Sequence, residues 1–107
     1  MDAELIRKYV LQKENVTEGF PFGPDNLVFK VNNKMFLLIS LDEVPLKFNA
    51  KCDPEKAIEL REAYPEAILP GYHMNKIHWN TVIAEGVKIS LVKELIDDSY
   101  SLVSKKK

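Results

Sequence analysis

Cysteine occurs once in this chain of 107 residues, as Cys52, which excludes an intramolecular disulfide and a zinc site built from cysteines. Net charge is nearly absent as well: 15 Lys and Arg stand against 16 Asp and Glu, a formal charge of −1. Domains held to nucleic acid by bulk charge carry a strong basic excess, so an anion-binding surface here has to be a local patch. No apolar run approaches the ~18–20 residues that span a bilayer, so no membrane partner is expected. Met1-Asp2-Ala3-Glu4 has neither the basic nor the apolar region of an export signal, and the expected location is cytoplasmic. A Gly-rich phosphate loop, paired catalytic carboxylates and a recognised metal-ligand spacing are also missing. The only histidines, His73 and His78, are five apart, which on a strand sends them to opposite faces. Together these absences set the expectations of no metal, no cofactor and no enzymatic activity.

What remains is an ordinary globular composition, 46% hydrophobic and 29% charged, long enough for one core. A single domain over 1–107, monomeric, is the economical reading. Asp2 to about Lys13 reads as a capped helix with Leu5, Ile6, Tyr9 and Val10 as its apolar stripe. Glu18 to Asp25 holds two glycines and two prolines and reads as a turn-rich connection whose Phe20 and Phe22 fold back onto the core. Asn26 to Val31 and Lys34 to Leu41 read as strands joined by an Asn32-Asn33 hairpin turn, since asparagine tolerates left-handed φ. That turn pairs Val31 with Lys34, Lys30 with Met35 and Phe29 with Phe36. Leu27, Phe29, Val31, Phe36 and Leu38 then share one face, and Val28, Lys30, Met35, Leu37 and Ile39 the other.

Leu46 to Lys51 is a half-buried strand, with Leu46, Phe48 and Ala50 inward and Lys47, Asn49 and Lys51 outward. Asp53 at the N-cap, Pro54 at the first helical position and Glu55 in the first turn start a helix that Pro65 closes at Tyr64. Its core contact is expected through Ala57, Leu60, Arg61 and Tyr64. Cys52 stands just before that helix, a position that lowers a thiol pKa. From Lys76 the chain alternates: Ile77, Trp79, Thr81 and Ile83 are assigned to the core, and Lys76, His78, Asn80 and Val82 to the outside. Ser90 is expected to cap a last helix to about Ser104, with Val92, Leu95, Ile96, Ser99, Leu102 and Val103 buried. The tail Lys105-Lys106-Lys107 reads as a solvated end.

The implied architecture is α+β, a two-layer domain in which helices cover one face of a mostly antiparallel sheet. The other face then gathers Lys30, Lys47, Asn49, Lys51, Lys76, His78 and Asn80, with no acidic residue on those strands. Such a cationic, amide-bearing face suits phosphate and base-edge contacts.

Several stretches resemble the YjbR/MmcQ family: Phe20-Pro21-Phe22-Gly23, Val28-Phe29-Lys30-Val31, Lys34-Met35-Phe36, Leu46-Lys47 and Cys52-Asp53-Pro54. The likeness continues through Leu60-Arg61-Glu62, Pro70-Gly71-Tyr72-His73-Met74-Asn75-Lys76, His78-Trp79-Asn80 and Ser99-Tyr100-Ser101-Leu102-Val103. It implies a fold akin to frataxin-like and secretion-chaperone-like domains, and DNA binding through a double-wing arrangement, with the 31–34 hairpin as the wing candidate. Its motif positions Lys30, Lys34, Met35, Lys47, Lys76 and His78 fall on the basic face. The first functional expectation is therefore DNA binding by Lys30, Lys34, Lys47, Lys51, Lys76, His78 and Asn80. The alternative is a protein- or peptide-binding module using the same open face. The third is a small-ligand or enzymatic site near Tyr72, His73 and His78.

Overall fold

The structure, a computed structural model, describes residues 1–72 and 74–105. Helix α1 (Ala3–Leu11) starts on the Asp2 carboxylate, which accepts from Leu5 N at 2.9 Å. It stops two residues short of the expected end, and Ile6 and Val10 are its core contacts. Asn15, at φ 63°, then turns the chain into β1 (Val16–Gly19), a strand the turn-rich composition concealed. Strands β2 (Asn26–Val31) and β3 (Lys34–Ser40) form the expected hairpin, with Asn32 and Asn33 at φ 51° and 67°. β4 (Lys47–Lys51) follows, then α2 (Pro54–Ala63), β5 (Ile68–Pro70), β6 (Trp79–Ile83) and α3 (Ile89–Ser104).

The six strands make one antiparallel sheet in the order β1-β2-β3-β4-β6-β5. The three helices pack on one face of it and share a single core with the inward side chains. This is the two-layer α+β domain the patterning implies. α3 lies in the middle across β2, β3 and β4, α1 lies beside β1, and α2 lies beside β5. Polar contacts tie the layer together: the Tyr9 hydroxyl of α1 donates to Asp97, Lys13 just beyond α1 pairs with the same carboxylate, and Lys56 of α2 pairs with Glu94 and Asp98. Asp53 caps α2 by accepting from Glu55 N and Lys56 N, as its position dictates.

Four expectations need correction. The hairpin ladder shifts after Lys30–Met35, so Phe29 pairs with Leu37 and Phe36 is a bulge. Leu37 and Ile39 therefore join Leu27, Phe29 and Phe36 in the core, while Val28 and Leu38 pair on the opposite face. Phe20 and Phe22 do not plug the core; they are 52% and 63% exposed. In α2 only Ala57 and Leu60 are buried, because Tyr64 faces solvent and Arg61 reaches across to the Lys76 carbonyl. α3 begins at Lys88 with no side-chain cap, Ser90 falls inside its first turn, and Leu102 is exposed.

The bulge has a partner in α3. Ser99 is fully buried; its hydroxyl donates to the Phe36 carbonyl and accepts from Lys51 N. The β3–β4 ladder ends at Leu37–Ala50, and the serine hydroxyl bridges the two strands one step beyond it. A helix side chain thus does the work of a missing rung.

Candidate binding surface

The face opposite the helices can be read rung by rung from the strand register. Its middle row runs Gly19, Val28, Leu38, Asn49, Thr81 and Leu69 across the six strands. One end carries Asn26, Ser40, Lys47 and Ile83. The other, at the hairpin, carries Thr17, Lys30 and Met35 on one side and Lys51 opposite Trp79 on the other.

Register decides the β6 phase against the expectation. Phe48 and Ala50 of β4 are in the core, and they pair with Val82 and Asn80, so those two residues face the helices. Asn80 is 3% exposed and donates to the Ala57 carbonyl; it is not available to an external ligand. Trp79, Thr81 and Ile83, assigned above to the core, lie instead on the uncovered face. The cause is local. The Asn75 side chain accepts from Ile77 N and His78 N, which folds 76–78 into a turn and delays the strand to Trp79. That Asx turn is the signal a sequence reading has for this phase, and alternation begun at Lys76 overlooks it.

The expected contact residues therefore divide. Lys30 and Lys51 stand on this face at the hairpin end, whereas Lys34 pairs with the core residue Val31 and so projects on the helix side, against the expectation. The exposed turn bearing Lys76 and His78 joins Lys51, since Cys52 N donates to the His78 carbonyl directly after it. Lys76 extends back to the Gly71 carbonyl at 3.2 Å. Lys47 is at the far end, four strand residues or roughly 13 Å from Lys51, and is ion-paired with Glu43 at 3.2 Å. Asp42 and Glu43 rise from the β3–β4 turn onto that end, so the face is not uniformly basic. It is polarised, basic at the hairpin and acid-rimmed at the opposite turn. His73 lies outside the described residues.

A depression of about 440 Å³ runs from the middle row into the acid-rimmed end, with Leu38, Asn49, Thr81 and Tyr72 in its lining beside Asp42, Glu43 and Lys47. The Thr81 hydroxyl holds it together, donating to Asn49 Oδ1 and accepting from Tyr72 N at 2.9 Å. A second hollow, beside Val28 and Lys30, is walled by Phe20 and Pro21. Neither hollow contains a nucleophile paired with a base. Among the described residues no group of three or more His, Cys, Asp or Glu is placed to hold a metal ion. Cys52 is buried, and burial pushes its thiol up, opposite to the lowering expected from the helix N-terminus; the nearby Lys56 pulls only partly back. No helix among the described residues is long and apolar enough to cross a membrane.

The chain is similar to known proteins in sequence and in fold. Residues 11–102 match the family model described as YjbR. The uncharacterised protein YbdF of Escherichia coli O157:H7 is 42% identical over 102 residues, covering 94% of this chain and 82% of YbdF. The uncharacterised protein YyaQ of Bacillus subtilis (strain 168) is 51% identical, covering 92% of this chain and 95% of YyaQ. The crystal structure of Deinococcus radiodurans protein DR2400, carrying the domain DUF419, superposes with a TM-score of 0.92 at 42% identity, over 96% of this chain and 78% of that one.

Proposed function

The chain belongs to the YjbR family, and we propose that it is a nucleic-acid-binding domain whose contact surface is the hairpin end of the uncovered sheet face. One observation carries this reading: strand register sets Lys30 and Lys51 on one face beside the half-buried Trp79 and the exposed 76–78 turn. The two lysines lie two strands apart, roughly 10 Å, close enough to engage backbone phosphates of one strand. The acids Asp42 and Glu43 stand at the opposite end, so a polyanion is oriented as well as attracted.

The test is an anisotropy titration of labelled DNA at two salt concentrations, with Lys30→Glu/Lys51→Glu beside Lys47→Glu. Affinity for the parent falls steeply with salt, because each neutralised phosphate releases counterions. The Lys30/Lys51 pair loses at least about tenfold, since two attractive contacts become repulsive. Lys47→Glu changes binding far less, because that lysine already sits against Glu43. Equal binding by parent and double variant overturns the assignment.

A second reading has its own observation. Phe20 and Phe22, more than half exposed beside the Val28 hollow, offer apolar anchors to a peptide. A partner captured independently of salt and nuclease, and lost in Phe20→Ser/Phe22→Ser, favours that reading over the first.

A further inference from the structure

We infer that the nucleic acid taken by this surface is single-stranded, its bases against Trp79 and Tyr72 and its backbone along Lys51 and Lys30. The inference rests on the nucleic-acid reading above and narrows it.

The first argument is what the fold offers to a duplex groove. A major groove about 12 Å wide admits a helix or a projecting two-stranded ribbon. The β2–β3 hairpin does not project. β1 pairs with β2 out to Val31, and β4 pairs with β3 from Leu37, so little beyond Asn32, Asn33 and the foot of β3 stands clear of the sheet. The helices are no better. α2 exposes Glu55, Glu59 and Glu62, which repel phosphates; in α3 Glu94, Asp97 and Asp98 are taken up by Lys56 and Lys13, and in α1 Arg7 is engaged by Glu4 and Glu18. Among the described residues no helix presents a run of unpaired basic residues to a groove.

The second argument is what the sheet face offers to unstacked bases. Trp79 lies directly across from Lys51, so an indole and a cation share one rung. Tyr72 is 69% exposed and is held by its backbone over Thr81, the next outward residue along β6. The Tyr72 backbone is thus anchored one strand repeat, roughly 7 Å along β6, from Trp79, a spacing that suits successive stacking platforms. Duplex DNA keeps its π-faces stacked inside the helix, where neither ring can reach them. A single strand presents them.

The protein reports its own binding, because Trp79 is the only tryptophan in the chain. A short mixed-sequence oligonucleotide and the duplex made with its complement are titrated separately at low and high salt, following anisotropy and Trp79 emission. The single strand binds at least about tenfold more tightly than the duplex and quenches the emission at saturation, as base stacking on an indole does. Tyr72→Ala, at an exposed side chain and checked for folding by circular dichroism, weakens the single strand about 5- to 150-fold and leaves weak duplex binding unchanged. Duplex binding as tight as single-strand binding overturns the inference and leaves the nucleic-acid reading standing. Tight single-strand binding with unaltered Trp79 emission, or with no loss in Tyr72→Ala, also overturns it. No binding of either form at low salt overturns both readings.

Discussion

Ser99→Ala is the most informative single change to the fold, because one hydroxyl holds two strands at the point where their own ladder has ended. Removing it leaves the Lys51 amide and the Phe36 carbonyl without that partner, in a site where Ser99 is fully buried. An unsatisfied buried backbone group costs about 1–3 kcal/mol. Two such groups, with some relaxation of the strands toward each other, set the expected loss at about 2–4 kcal/mol. Urea unfolding followed by Trp79 fluorescence and far-UV circular dichroism measures it. With a slope of about 1.5 kcal/mol/M, a loss of about 3 kcal/mol lowers the midpoint by about 2 M and leaves the slope unchanged. Ser99→Val separates volume from chemistry: it fills the space, has no donor, and is expected to rescue nothing. Ser99→Thr keeps the hydroxyl and retains most of the stability. If Ser99→Ala unfolds within about 0.5 kcal/mol of the parent, the range of a neutral surface change, the hydroxyl bridge does not carry the strands and the reasoning is wrong.

Two further outcomes follow from buried polar groups. Burial first, and then its hydrogen bond to Asp97, pushes the Tyr9 phenol up to about 12. The protonated phenol is thereby favoured by the folded state, so its contribution to stability is complete below the unfolded value near 10 and is lost as pH rises towards 12. A 295 nm titration of the four tyrosines resolves one late phenol, Tyr9→Phe removes it, and a late phenol persisting in that variant assigns it elsewhere. At Asn80, Oδ1 is buried without a hydrogen-bond partner while Nδ2 makes a long bond, 3.4 Å, to the Ala57 carbonyl that Arg61 also serves. Asn80→Leu is therefore expected to match or exceed the parent in urea, whereas Asn80→Asp loses more than about 2 kcal/mol at pH 7 and less at pH 4. A large loss in Asn80→Leu refutes this account of the site.

What the sequence makes legible is chemistry that acts over a few residues. Asn32-Asn33 dictates its hairpin because both residues sit easily at positive φ, and Asp53-Pro54-Glu55 dictates a helix start through the orphan amides it satisfies. The facing of Lys47 to Lys51 holds because its inward residues are apolar and its outward ones are not, but Asn49, outward by register, is buried and hydrogen-bonded to Thr81 rather than open to solvent. Most of the failures are cases where a neighbouring element decides, though the β6 phase also has the local Asn75 turn behind it. Nothing local marks Phe36 as a bulge; Ser99, more than 60 residues away, makes that register tolerable. The β6 phase was ambiguous within its own residues, since Trp79 and Ile83 argue one way and Val82 the other, and pairing with Phe48 and Ala50 settles it. The candidate surface suffered the same way. Lys30 and Lys51 fall where alternation puts them, but the residues that accompany them are Trp79 and Tyr72 rather than Asn80, because the phase of one strand exchanged an amide for an indole.

The position of α3 also sets the timing of folding. Chains are made from the N-terminus at about 5–20 residues per second, and roughly 50 residues separate the end of β4 from the end of α3. For about 3–10 s, then, a nascent β1–β4 meander can pair its strands yet has no α3 to lie on them. Phe29, Leu37, Ile39 and Phe48, fully enclosed in the finished protein, face water through that interval. α3 thus closes over its own sheet partners β2, β3 and β4, all of which are synthesised ahead of it.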